Sequence, residues 1–89
     1  MSDNKIRIEE YNMSEDMKLR AIEFVINKQK SKVIELELAR ELKKYFDDNF
    51  HPTWQCVVGK NFGSQIGFYD KHMIYFYWGN IAILLWKAG

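Results

Sequence analysis

The stretch His72-Met73-Ile74-Tyr75-Phe76-Tyr77-Trp78, then Gly79-Asn80, then Ile81-Ala82-Ile83-Leu84-Leu85-Trp86-Lys87 decides the fold. Two apolar runs of strand length flank a Gly-Asn pair, the pattern of a β-hairpin with a two-residue turn. Side chains alternate along a strand, so His72, Ile74, Phe76 and Trp78 share one face while Met73, Tyr75 and Tyr77 share the other. The second run repeats this, with Ile81, Ile83 and Leu85 opposed to Ala82, Leu84 and Trp86. A sheet with one wet face would alternate apolar with polar residues. Here both faces are apolar, so both need cover. The helices available in 89 residues can cover one. The other is expected to meet a second copy, a ligand, or both.

Upstream of the hairpin the composition changes. Of the 25 charged residues, 21 lie in positions 1–51, whereas nine of the 14 aromatics follow Pro52. A helical half therefore precedes a strand half within one domain. Ile6-Arg7-Ile8-Glu9 alternates as a short edge strand. Ser14 is placed as a helix N-cap, with Glu15 and Asp16 in the first turn, where the helix dipole favours acids. Met17, Ala21, Ile22 and Val25 recur at helical spacing, and this helix is expected to end near Lys30 to Lys32. A second helix is expected from Glu35 to Phe50. Leu38, Ala39, Leu42, Phe46 and Phe50 form its apolar stripe, and Glu41, Lys43, Lys44, Asp47 and Asp48 its wet side. Pro52 stops it. Trp54 to Gly59 reads as a strand, Lys60-Asn61 as a turn, and Phe62 to Phe68 as a further strand. That last segment is the most polar of the strand half. Gly63 and Gly67 weaken it and mark close approach of another backbone. It reads as an open edge, a template for pairing with another chain.

Charge excludes some functions. The net charge is +1, from 13 basic and 12 acidic residues, without the gathered basic excess of a nucleic-acid binder. Tyr75, Phe76, Tyr77 and Trp78 could stack on bases, but with no basic groove they read as core and wall. Lys28, Lys30 and Lys32 are too scattered for a membrane patch. No apolar run approaches the ~20 residues that span a bilayer, and the N-terminus opens no apolar signal region. The single Cys56 forms no intrachain disulfide, which fits a reducing compartment. The expectation is a soluble intracellular protein. A chain this short buries only roughly two-thirds of its unfolded surface, which makes dimerisation a natural remedy.

The longest run of unusual motifs carries a resemblance. Pro52-Thr53-Trp54, Cys56, Val58-Gly59, Asn61-Phe62-Gly63-Ser64, Lys71-His72, Ile74-Tyr75-Phe76-Tyr77, Gly79 and Ala82-Ile83-Leu84-Leu85 together closely resemble the eight-kilodalton cytoplasmic dynein light chain family. The match continues without a gap through Met13-Ser14-Glu15 and Lys43-Lys44. The resemblance implies an α+β fold, two helices packed on an antiparallel β-sheet, assembled as a strand-swapped homodimer over a single domain, residues 1–89. The donated strand would be Phe62 to Phe68. The family binds short extended peptides of disordered proteins, among them the dynein intermediate chain, by β-strand addition. It works in the cytoplasm in association with the cytoskeleton, and a symmetric dimer zips two partner chains together.

Carried over by position, the groove would comprise Glu35 and Leu36, then Asn61, Phe62, Gly63, Ser64, Gln65, Ile66, Gly67 and Phe68, with Met73, Tyr75, Tyr77 and Leu84 from the hairpin. Gly63 would let the peptide backbone approach. Glu35 and the first free helical N–H groups would meet the family's favoured glutamine. The dimer interface would hold Gln55, Phe62, Ser64, Gln65 and Ile66, with Lys43 and Lys44. Several residues depart from the family pattern. Leu36, Gly67 and Phe68 stand where members usually carry lysine, threonine and histidine, Gln65 replaces a tyrosine and Met73 a phenylalanine. A less polar, less basic groove with altered motif preference is expected. Gln55 replaces a histidine that would charge in mild acid and split the dimer. Ala88 replaces a phosphorylatable serine.

Two other classes compete. One is a self-assembling structural protein with an altered or disabled groove, motivated by those changed pockets. The other is a small thiol enzyme using Cys56, which would need a base and an orienting group. Cys56 alternates with apolar neighbours and reads more simply as a packed residue, so no catalytic residue and no cofactor are expected. Two histidines and one cysteine without ligand spacing do not make a zinc site.

Overall fold

The computed structural model describes residues 6–30, 35–60 and 72–88. Two helices pack on one face of a four-stranded antiparallel sheet. In chain order the elements are β1 (Ile6–Asn12), α1 (Glu15–Lys30), α2 (Glu35–Phe50), β2 (Trp54–Gly59), β3 (Met73–Trp78) and β4 (Ile81–Lys87). The sheet order is β1-β3-β4-β2, so the hairpin forms its centre and β1 and β2 its edges among the described residues. The expected strand over 62–68 lies outside the described residues.

Gly79 has φ 61°, as the tight turn after Trp78 requires. The turn sets the register Tyr77↔Ala82, Tyr75↔Leu84 and Met73↔Trp86 on one face, and Phe76↔Ile83 and Ile74↔Leu85 on the other. β2 continues both faces, with Cys56 opposite Leu85 and Val57 opposite Leu84.

The helix-covered face holds the main core. Ala21 and Val25 of α1 and Leu38, Leu42 and Phe46 of α2 close on Trp54, Ile74, Phe76, Ile83 and Leu85, all 0% exposed. Leu38, Leu42 and Phe46 follow one another at i, i+4 and i+8, the stripe anticipated for this helix. Phe46 sits edge-on to Trp54 with ring centroids 4.9 Å apart, a pairing that aromatic quadrupoles favour.

Ser14 caps α1, its Oγ accepting from Met17 N at 3.2 Å. Glu15 at the start of α1 accepts from the Tyr11 hydroxyl at 2.8 Å and pairs with Lys18 at 2.9 Å. Hydrogen bonds from Lys18 and then Tyr11 hold its carboxyl below the usual range. α2 ends as Pro52 dictates, with His51 in the left-handed region at φ 68°. The Lys87 ammonium donates to the freed His51 carbonyl at 3.2 Å.

Three expectations need correction. β1 extends to Asn12 rather than ending near Glu9, because it pairs with the whole of β3. Its register shifts between Ile8 and Glu10. The extra residue, Glu9, is a bulge that places Tyr11 opposite Ile74, on the helix-covered face. There its hydroxyl reaches Glu15.

Asp47 is not merely a solvated helix end. Its Oδ1 accepts from Trp54 N at 2.7 Å and its Oδ2 from Lys43 Nζ at 2.6 Å. Acids in the last turn oppose the helix dipole; tethering β2 to α2 is what Asp47 contributes instead.

The second sheet face is not bare in one copy. Met73, Tyr75, Ala82 and Leu84 are 1%, 8%, 0% and 8% exposed there, with Tyr77 and Trp86 packed against them. Exposure on that face survives at its β2 margin, where Val57 is 42% exposed.

Candidate functional site

The alternation that builds the sheet also distributes the candidate residues. Met73, Tyr75, Tyr77 and Leu84 come together on the face turned away from the helices. Tyr75 and Tyr77 are neighbours on that face because they are two apart in one strand. Their hydroxyls lie 3.2 Å apart. The contact with Tyr77, and burial after it, push the Tyr75 phenol up to about 12. The Tyr75 hydroxyl therefore stays protonated through the neutral range, able both to donate and to accept.

Arg7 of β1 lays its guanidinium over the Tyr77 ring, 4.5 Å from the centroid, and its Nε meets Glu9 Oε2 at 2.7 Å. These two residues were not anticipated as parts of the site. The signal was present: Arg7 alternates with Ile6 and Ile8, which places it across the sheet from the helices. Val57 and Trp86 join the same face through their pairing with Leu84 and Gln55.

Glu35 and Leu36 lie elsewhere. They open α2, whose buried stripe packs on the opposite sheet face. Glu35 is half-buried, whereas Leu36 is 64% exposed. Within one chain the sheet separates these two residues from Tyr75, Tyr77 and Leu84.

Gln55 occupies the margin of the far face on β2, opposite Trp86. Lys43 and Lys44 are held on α2 by Asp47 and Asp48, at 2.6 and 2.9 Å. Asn61, Phe62, Gly63, Ser64, Gln65, Ile66, Gly67 and Phe68 lie outside the described residues.

β2 therefore presents an edge without a described neighbour on one side, α2 over one of its faces and an exposed Val57 on the other. Unpaired strand N–H and C=O groups along such an edge accept a further strand.

Burial pushes the Cys56 thiol up to about 12, although its side chain keeps some contact with solvent. At neutral pH such a group is almost wholly thiol, and the thiolate is the nucleophile. No group of three or more potential metal ligands occurs among the described residues.

The family model described as dynein light chain type 1 matches residues 5–88. The chain belongs to the dynein light chain family. Among solved structures, it is similar to the dynein light chain-like domain of the calcium binding protein FhCaBP2 from Fasciola hepatica. That match has a TM-score of 0.80 at 22% identity and covers 98% of this chain and 94% of that one. It is likewise similar to the dynein light chain-like domain of CsTAL3. There the TM-score is 0.80 at 22% identity, covering 93% and 92% of the two chains. At this level of identity the two structures speak for a shared fold. The two helices on a four-stranded antiparallel sheet are the dynein light chain fold, a non-catalytic adaptor architecture. No helix among the described residues is long and apolar enough to cross a membrane.

Proposed function

We propose that this dynein light chain acts as a homodimeric adaptor that binds short extended segments of disordered proteins by β-strand addition. One observation carries the reading: the groove residues expected from the sequence are split between two layers. Glu35 and Leu36 sit with the helices, whereas Met73, Tyr75, Tyr77 and Leu84 sit on the far face. A second copy that lays its 62–68 segment along the edge of β2, which has no neighbour among the described residues, would unite the two halves. It would also cover Val57. The incoming peptide would pair with that donated strand, its backbone close to Gly63. Binding of the dynein intermediate chain, residence in the cytoplasm and association with microtubule motors belong to the same proposal.

The rim of this groove is apolar at Leu36. The preferred motif is accordingly less tied to a central glutamine and favours an apolar side chain at the position beside Leu36. Peptide display against the purified protein, with Gly63→Pro as control, tests the reading. Enrichment of extended motifs that is lost in Gly63→Pro supports it. Equal binding by Gly63→Pro, or failure to enrich any extended segment, overturns it and favours a self-assembling structural role with a disabled groove.

A further inference from the structure

On the helix side of the sheet, far from the face that holds Tyr75 and Leu84, lies a cavity of about 390 Å³. That size lies at the lower end of the range in which small-molecule sites fall. Met17 of α1, Phe50 at the end of α2 and Trp54 at the start of β2 give it apolar walls. Asn49, His51, His72 and Lys87 supply the rest of its chemistry. No acidic residue is among the described residues that line it.

The frame around the cavity is tied down. Lys87 N donates to the His72 carbonyl at 2.9 Å, and Ala88 N to the Thr53 carbonyl at 2.8 Å. The Lys87 ammonium uses one donor on the His51 carbonyl, and an ammonium has three. It stands 5.8 Å from the centre of the Trp54 ring. Trp54 itself is 0% exposed, and its indole Nε1 is buried without a hydrogen-bond partner among the described residues. A buried N–H of this kind is normally satisfied; what it lacks is an acceptor.

We propose that this cavity binds a small aromatic carboxylate. Its ring would lie against the half-buried Phe50 and Met17, and its carboxylate would meet the Lys87 ammonium and the imidazoles of His51 and His72. The Phe50 ring and the Met17 thioether recognise the flat apolar body. Lys87 and the two imidazoles favour an anion over a cation, against the nearby Asp47 carboxylate, which also attracts Lys87, and the charge-assisted bond to Lys87 fixes the ligand's orientation. This site is distinct from the proposed peptide groove: none of the residues lining it belongs to that groove.

Phenylacetate and its neutral counterpart phenylacetamide form the test, followed through the amide and indole N–H resonances of the ¹⁵N-labelled protein. The expected result is a saturable shift of the Trp54 indole N–H and of the His72 and Lys87 amides with phenylacetate. Phenylacetamide should bind about fivefold to tenfold more weakly, the loss of one charge-assisted bond at a partly wet site. Lys87→Met should reduce phenylacetate to the affinity of the amide. His72→Gln, at an exposed position, should weaken phenylacetate alone and serves if Lys87→Met does not fold. Equal affinity for the two compounds, unchanged affinity in the folded variants, or no saturable shift at millimolar ligand would overturn the proposal. Shifts confined to the Tyr75 and Leu84 side would do so as well.

Discussion

Asp47 shows how much a single side chain can decide. Its carboxylate joins the last turns of α2 to the first residue of β2 through the Trp54 amide, and it holds Lys43 alongside. Burial pulls its carboxyl upward, but the hydrogen bonds from Lys43 and Trp54 outweigh that and hold it below the usual value. A depressed folded-state pKa means that the unfolded chain binds the proton more readily. The stability Asp47 contributes is therefore present above the unfolded value and lost as pH falls through the folded one. Asp47→Ala should cost about 1–2 kcal/mol near neutrality, read from urea denaturation, because a buried amide loses its acceptor. The difference between wild type and variant should shrink as the solution is acidified below the ordinary carboxylate range. A constant difference down to strong acid would mean that the carboxylate is not the anchor.

Cys56 gives a second prediction at this scale. Its thiol, pushed up to about 12 by burial, should alkylate at neutral pH at least about a hundredfold more slowly in the native protein than in urea, because the thiolate is scarce. Cys56→Ser should leave any peptide binding intact. Rapid native alkylation would revive the thiol-enzyme reading.

At the scale of elements, the hairpin and the helix ends follow from local sequence, whereas β1 does not. Gly79-Asn80, the capping Ser14 and the terminating Pro52 act within a few residues of themselves, so a reader of the chain can locate them. The bulge at Glu9 answers to β3, more than sixty residues away (Ile8 faces Phe76 and Tyr11 faces Ile74). Its effect is to keep Ile8 and Tyr11 on one face despite an odd spacing. Deleting Glu9 should therefore heal the ladder rather than invert it, because Glu10 would then follow Ile8 opposite Tyr75 in regular register. Stability should change by less than about 1 kcal/mol, the worth of the lost surface ion pair with Arg7. A deletion in an unbulged strand would instead turn every following side chain to the wrong face. Loss of cooperative unfolding in the Glu9 deletion would refute this account of β1. Ser14→Ala, by contrast, should cost about 1 kcal/mol, as removal of an N-cap oxygen does.

For the whole molecule, the question is how many copies complete the site. The centre of the far face is already covered in one chain, so the proposed association would be driven from the β2 edge and Val57 rather than from a broad bare layer. Val57→Asp should lower the mass seen by light scattering at micromolar concentration to that of a single chain, with helix content unchanged. An unaltered dimer would move the interface elsewhere. Gln55 cannot charge as an imidazole would, so wild-type mass should hold at pH 5 in sedimentation.

The candidate site was legible in part. The face shared by Tyr75, Tyr77, Leu84 and Met73 follows from the period of the hairpin, whereas their place in a groove with Glu35 and Leu36 came from the family resemblance. That the sheet would stand between these two groups could not be read from the chain, because it depends on which face the helices choose.

The sequence by itself determined the local geometry: two amphipathic helices, a Gly-Asn hairpin, and the face of every hairpin side chain. These are matters of period and of backbone sterics, settled by neighbours. Only the tertiary structure decided that Glu9 bulges, that Asp47 anchors Trp54, and that a cavity opens between Phe50 and Lys87. Each depends on groups brought together through space from distant positions, and pairing and packing over such separations leave no periodic trace in the chain.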